Sequence, residues 1–178
     1  KISIEKGGIS EILVSDNGTG IEQKFLKTSV GRHTTSKLNK YTLNNVVTLG
    51  FRGEALHSIS NASDFTMTTR TKDSTEAHEL KVIFGKLVSV KPSKGNIGTI
   101  IKIRNLFGNL PVRKKFLKSE NSESLAIKNF IKKVALAYPH ISFIFTEDNK
   151  IKLELIGREN DEKLLKRVAE IYGESFMK

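Results

Sequence analysis

Between Asp64 and Ile103 the chain passes through four stretches in which apolar and polar residues alternate: Asp64 to Arg70, Glu79 to Phe84, Leu87 to Val90 and Thr99 to Ile103. A two-residue period places alternate side chains on opposite faces, as in a strand with one face buried. No helical pattern separates these strands, so hairpins rather than βαβ crossovers connect them, and the sheet they form is antiparallel. That single stretch excludes an all-helical chain and a doubly wound parallel sheet.

The flanks add helices in blocks. Ile2-Ser3-Ile4-Glu5 and Ile12-Leu13-Val14-Ser15 are β-rich runs around Lys6-Gly7-Gly8, which predicts a hairpin turning on glycines. Ile21 to Ser29 has a short helical pattern with Ile21, Phe25 and Leu26 on one side. Gly31 to Leu49 is polar and weakly periodic, and reads as a long mobile segment. Glu54 to Ile59 reads as a helix. Ser122 to Tyr138 is the clearest amphipathic helix, with Leu125, Ile127, Phe130, Ile131, Val134 and Leu136 on its apolar face and Pro139 as its stop. Ile141 to Phe145 and Ile151 to Ile156 read as a strand pair around Glu147-Asp148-Asn149, and Asp161 to Tyr172 as a last helix. The fold class is α+β: a two-layer sandwich with a mostly antiparallel mixed sheet and helices on one face.

Composition removes several chemistries. The 178 residues include no cysteine, so thiolate nucleophiles, CxxC redox sites and cysteine-based zinc sites are excluded. Four histidines occur, none in an HExxH-like spacing. No apolar run approaches the ~20 residues that cross a bilayer. The formal charge of +11 favours polyanions, nucleotide phosphates and nucleic acid among them. The excess is mostly lysine, however, which a solvated surface explains equally well. Arg113, Lys114, Lys115 and Lys118 make the densest cationic group, read either as a phosphate-tracking DNA surface or, for Arg113 and Lys114, as buried structural ion pairs. Ten Phe and no Trp, mostly at core-like spacings, give no base-stacking platform.

Glycine clusters carry the remaining chemistry. Asp16-Asn17-Gly18-Thr19-Gly20 ends a strand, where a carboxylate can accept from an exocyclic amine such as that of adenine and glycines let the backbone approach a flat base. Alone, the same five residues are equally an ordinary Asp-Asn-Gly turn. Gly50-Phe51-Arg52-Gly53 runs into a helix whose first amides suit phosphate oxygens, with Arg52 as an added charge or a structural anchor. Thr34-Thr35-Ser36-Lys37 offers hydroxyls and an ammonium to phosphates. A Walker P-loop is excluded, because no glycine precedes Lys37 and Leu38 follows it. Gly98-Thr99 starts a strand with a hydroxyl within reach of a base or a bridging water.

Taken in order, these clusters are more specific than any one. Asp16-Asn17-Gly18-Thr19-Gly20-Ile21 resembles the adenine-binding motif of the GHKL ATPases. Thr35-Ser36-Lys37, Leu49-Gly50-Phe51-Arg52-Gly53-Glu54-Ala55-Leu56 and the run from Leu106 to Leu117 (LFGNLPVRKKFL) narrow the resemblance to the N-terminal ATPase region of MutL-type mismatch repair proteins. It extends from about Ile2 to the end of the chain.

That resemblance implies a Bergerat-type ATP-binding fold over residues 1–155, with 156–178 beginning a second, transducer-like domain. Asp16 would take the adenine amino group, with Gly18 and Gly20 lining the base and Thr99 beside it. Thr35, Ser36 and Lys37 would contact ribose or phosphates, and Gly50, Phe51, Arg52, Gly53, Glu54, Ala55 and Leu56 would wrap the phosphates. The family's first motif supplies a water-activating glutamate and a magnesium-holding asparagine. Neither has a counterpart in these residues, and Glu54 reads as a helix cap rather than a general base. The expected cofactors are ATP and magnesium, with the magnesium ligand upstream of Lys1, and this piece alone is expected not to hydrolyse ATP. Expected partners are DNA, a MutS-type mismatch recognition protein and a second MutL-type subunit, with no membrane. Location would be cytoplasmic in a bacterium and nuclear in a eukaryote, and not secreted. The alternative is a non-enzymatic basic nucleic-acid-binding module whose glycine loops are only turns.

Overall fold

The structure is a computed structural model, and it describes residues 1–32, 54–159 and 162–177. β1 (Ile2–Glu5), a 3-10 turn and β2 (Glu11–Asp16) open the chain, and a second 3-10 turn leads into α1 (Leu26–Ser29). Then come α2 (Ala55–Asn61), β3 (Asp64–Arg70), β4 (Ala77–Ile83), β5 (Lys86–Ser93) and β6 (Gly98–Arg104). α3 (Pro111–Lys115), α4 (Glu120–Ala137), β7 (Phe143–Glu147), β8 (Lys150–Leu155) and α5 (Lys163–Tyr172) complete the order. The long polar segment expected at Gly31 to Leu49 lies almost wholly outside the described residues. Two compact units divide the chain: Lys1–Val14 with Phe116–Lys178, and Ser15–Lys115.

In the first unit the strand order is β2-β1-β7-β8. β1 runs antiparallel to β2, with Ile2 opposite Val14, and parallel to β7, with Ile2 opposite Phe145. The expected hairpin is therefore present, and its connection needs its glycines: Gly7 and Gly8 have φ of 65° and 85°. A Cβ on Gly7 would overlap the backbone of Glu120, so the start of α4 sits directly on this turn. Asp148 and Asn149, both at positive φ, close the β7–β8 hairpin, as Asp and Asn tolerate that conformation. Asp148 also binds back, its Oδ1 accepting from the Lys6 amide at 3.0 Å.

α4 starts where its caps dictate. The Ser119 hydroxyl accepts from the Ser122 amide, and the Glu123 carboxylate accepts from the Lys118 amide at 2.8 Å. Its buried positions, Ser124, Ile131 and Ala135, form one i, i+3, i+7, i+11 stripe with the partly buried Ile127. The expected apolar face was broader. Leu125 and Phe130 are exposed, at 59% and 66%. At 100° per residue the six apolar positions wrap more than half the helix, and only the Ile127-Ile131-Ala135 line can face the sheet. Ile4, Ile131 and Phe145 form its main cluster, each buried side chain contributing about 1.5–3 kcal/mol.

Arg167 on α5 is completely buried. Its guanidinium donates to the carbonyls of Ala135 (2.9 Å), Pro139 (3.2 Å), Ile141 (3.0 Å) and Ile156 (2.9 Å). The Glu170 carboxylate lies 3.3 Å from Nε and also pairs with Arg158. Burial lowers the Arg167 pKa, and the Glu170 charge opposes that shift. Five donors in a planar fork suit this cage: among the bonds described, the Ala135 and Ile141 carbonyls have Arg167 alone, while those of Pro139 and Ile156 share it with Arg158.

In the second unit the order is β5-β4-β3-β6, antiparallel throughout. β3 matches its expected bounds; β5 and β6 extend one to three residues past theirs because pairing continues where the alternation fades, while β4 begins two residues early and stops at Ile83, since Phe84 turns at positive φ. Pro92 is tolerated in β5 because β5 is the outer strand of this set. Phe65, Met67 and Thr69 point inward from β3 and pack with Leu80 and Val82 of β4 and Ile103 of β6 among the buried residues. Of the short helical pattern after Gly20, only Leu26 is buried; Phe25 is half exposed, and the first turn is 3-10 rather than α. α3 has no counterpart in the sequence reading. It is a single short turn with Pro111 at its first position, where the missing amide costs nothing. Both units agree with the expected α+β class, and the one parallel pair described, β1 with β7, makes the otherwise antiparallel pairing mixed.

Replacing Arg167 with alanine removes all four carbonyl contacts and leaves the Ala135 and Ile141 carbonyls without their donor, while Arg158 still serves Pro139, Ile156 and Glu170. The expected loss is about 2–5 kcal/mol of unfolding free energy, read from urea denaturation. A loss under 1 kcal/mol would contradict the role assigned to the cage.

Candidate functional site

The site candidates that the structure describes lie at the end of β2 and the start of β6. Asp16 is the last residue of β2 and is exposed. Its Oδ1 accepts from two amides, Gly18 N–H at 2.9 Å and Thr99 N–H at 3.2 Å. Oδ2 receives no hydrogen bond among the described residues. The carboxylate is thus oriented through one oxygen, and the other has no partner among the described residues.

Backbone contacts hold this corner closely. Gly98 has φ 120°, and a Cβ there would overlap the Asp16 carbonyl oxygen. Gly20 has φ 73°, and a Cβ there would overlap the Arg70 carbonyl. Gly20 therefore serves approach to β3 as well as the turn itself. Arg70 in turn donates from Nε to Ser74 O at 3.1 Å and from Nη1 to Gly95 O at 3.4 Å. Thr99 is opposite Thr69 in the β3–β6 register, and their hydroxyls are 3.1 Å apart.

From Gly20 the chain leads toward α2. The Ile21 amide donates to Thr69 Oγ1 at 2.9 Å, and His57 Nδ1 on α2 lies 3.0 Å from the Val30 carbonyl. That contact requires a proton on Nδ1. Glu54 occupies the N-cap position of α2, yet its side chain makes no capping hydrogen bond, so the expected cap is not formed. Ala55 and Leu56 are the first residues of the helix. At the other end of α2, loop amides take the carbonyls of the last turn and of the two residues after it: Gly85 N–H donates to Ser60 O, Phe107 N–H to Ala62 O and Phe84 N–H to Ser63 O.

So Asp16, Gly18, Gly20 and Thr99 come together, and Glu54, Ala55 and Leu56 stand at the start of α2. Thr35, Ser36, Lys37, Gly50, Phe51, Arg52 and Gly53 lie outside the described residues. Arg113, Lys114 and Lys115 are on α3 and exposed, with no ion pair among the described residues, so the buried-pair reading of Arg113 and Lys114 is wrong. Lys118 is exposed and precedes α4. A hollow of about 230 Å³ beside α4, with Ser124, Lys128, Phe145 and Glu147 in its lining, contains none of these candidates. Thr69 and Arg70 escaped the sequence reading. One signal was present: Thr69 holds an inward position of β3 after Phe65 and Met67, a hydroxyl in an apolar row.

No family model matches the chain. The MutL protein of Bartonella bacilliformis is 42% identical over 177 residues, covering 99% of this chain and 29% of the relative. That of Rickettsia bellii is 41% identical over 179 residues, with the same coverage. Among solved structures, the Aquifex aeolicus MutL ATPase domain complexed with ADP superposes with a TM-score of 0.77 at 30% identity, covering 96% of this chain and 59% of that one. The chain matches the N-terminal ATPase region of MutL-type DNA mismatch repair proteins. It spans less than a third of the length of these curated MutL relatives. The α+β architecture expected from the MutL-type resemblance is the one observed. Among the described residues no helix is long and apolar enough to cross a membrane.

The Gly98 contact gives a direct check on the corner. Gly98→Ala should lower stability by about 2–4 kcal/mol, from overpacking and positive-φ strain together, with the largest amide shifts at Asp16 and Asn17. A substitution that leaves urea midpoint and spectrum unchanged would contradict the close approach.

Proposed function

We propose that this chain is the ATP-binding part of a MutL-type mismatch repair protein and that Asp16 is its adenine acceptor. The observation that carries the proposal is the asymmetric carboxylate: Oδ1 held by two amides, Oδ2 without a hydrogen bond among the described residues. Gly18 and Gly20 give a base room at the backbone, and Thr99 stands beside it. Thr35, Ser36, Lys37 and the segment Gly50–Leu56 are assigned to ribose and phosphates by the family motif, and the amides that begin α2 suit an anion. An ADP complex of a solved MutL ATPase domain supports the ligand class.

In the whole protein the proposed activity is ATP hydrolysis, coupled to pairing with a second MutL-type subunit and to engagement of DNA and a MutS-type partner. The family's glutamate and asparagine have no counterpart in these 178 residues, so we assign this piece nucleotide binding without turnover. Magnesium belongs to the proposed reaction. Among the described residues no group of three or more His, Asp or Glu could hold a metal ion, so its protein ligand is not assigned here. Residues 1–155 are proposed as the ATP-binding domain and 156–178 as the start of the next. Location follows source, cytoplasm for a bacterium and nucleus for a eukaryote. No observation favours a non-enzymatic nucleic-acid-binding module.

Asp16→Asn keeps an oxygen for the two amides and replaces the open oxygen with an NH₂ donor that faces the base amine. ADP affinity should fall about a hundredfold or more, with the urea midpoint close to wild type. Unchanged affinity by titration calorimetry would remove Asp16 from the site.

For DNA, the exposed α3 cations suit phosphates. Replacing Arg113, Lys114 and Lys115 with alanine should reduce the slope of log affinity against log salt by about 2–3 if all three touch B-form phosphates. An unchanged slope would show that these cations only face water.

A further inference from the structure

The Thr69 hydroxyl is buried and sits among three polar groups. It accepts from the Ile21 amide at 2.9 Å, donates to the Gly98 carbonyl at 3.0 Å, and lies 3.1 Å from the Thr99 hydroxyl. A hydroxyl has one proton and two acceptor lone pairs. The Gly98 carbonyl can only accept, so Thr69 spends its proton there. Thr99 must then be the donor in the hydroxyl pair. With its proton directed to Thr69, the buried Thr99 hydroxyl has only lone pairs left for any further group. The neighbouring Asp16 Oδ2 is likewise acceptor-only.

We propose that Thr69 is a positioning residue that sets purine specificity: by taking the Thr99 proton, it makes the polar edge of the base site acceptor-only, matched to an amino donor. The inference rests on the reading of Asp16 and Thr99 as the base site. An adenine presents an exocyclic amine to this edge, whereas a hypoxanthine places a carbonyl oxygen there and meets acceptors. The same hydroxyl fixes the Ile21 amide and the Gly98 carbonyl, so it also joins the loop after Asp16 to the start of β6. Its partners are all within one unit of the fold.

The test compares ADP with IDP, the hypoxanthine analogue, by calorimetry on the full chain and its variants. Thr69→Val removes the hydroxyl at nearly constant shape and frees the Thr99 proton to rotate outward. The ratio of IDP to ADP dissociation constants should drop about tenfold in Thr69→Val and return to within twofold of wild type in Thr69→Ser. A merely structural role would weaken both ligands alike and leave the ratio unchanged, which overturns the proposal. Thr69→Ala is the second hydroxyl-free variant. If neither it nor Thr69→Val yields folded protein by circular dichroism, the hydroxyl serves stability and the proposal also falls. Asp16→Asn separates the two levels. If Asp16→Asn weakens ADP while the Thr69 variants keep the wild-type ratio, only the Thr69 role fails. If Asp16→Asn binds ADP as wild type does, the base site itself is misplaced and the Thr69 role goes with it.

Discussion

One carboxylate oxygen of Asp16 takes the amides of Gly18 and Thr99, and the chemistry assigned to this chain depends on that division of labour. Both amides come from backbone that is itself held in place. Gly18 is two residues along a turn, and Thr99 begins a strand paired in register with β3. A side chain anchored at one oxygen keeps the other aimed without needing a partner. An exposed carboxylate fixed in this way has already lost rotamer freedom before a ligand arrives, which lowers the entropy cost of binding.

The supports of this corner run outward through β3. Thr69 and Arg70 end that strand, one binding the Ile21 amide and the Gly98 carbonyl, the other reaching Ser74 and Gly95. Two glycines at positive φ, Gly20 and Gly98, let three backbone segments approach within a distance that any Cβ would prevent. Further back, Phe65 and Met67 anchor the same strand in apolar packing. The polar end and the apolar middle of β3 thus share one inward-facing row. The other unit uses a different device: around the turns after α4 and β8, a fully buried arginine gathers carbonyls rather than a hydrophobic cluster doing so alone.

Much of this was legible from residue order. The period-two runs identified β3 to β6, and glycine pairs marked the first hairpin, because alternation and positive φ leave local signatures. Asp16 and Thr99 were both singled out, although only family resemblance linked them; 83 residues separate them and no local pattern encodes their 3.2 Å contact. The sequence overestimated the apolar face of α4, since hydrophobicity does not say which of several stripes meets the sheet. It missed α3, whose five residues are too short for a period, and it gave Glu54 a cap that the side chain does not form. Arg167 was invisible because its partners are main-chain carbonyls, which every residue carries. Its burial follows from chain path rather than from composition.

The central claim is that the open oxygen of Asp16 receives the amine of a purine. A crystal structure of the chain soaked with ADP tests it most directly. The account predicts the adenine N6 within hydrogen-bond distance of Asp16 Oδ2, with the Gly18 and Thr99 amides still on Oδ1. An adenine bound elsewhere, or an Asp16 carboxylate turned away from a base in that pocket, would contradict it.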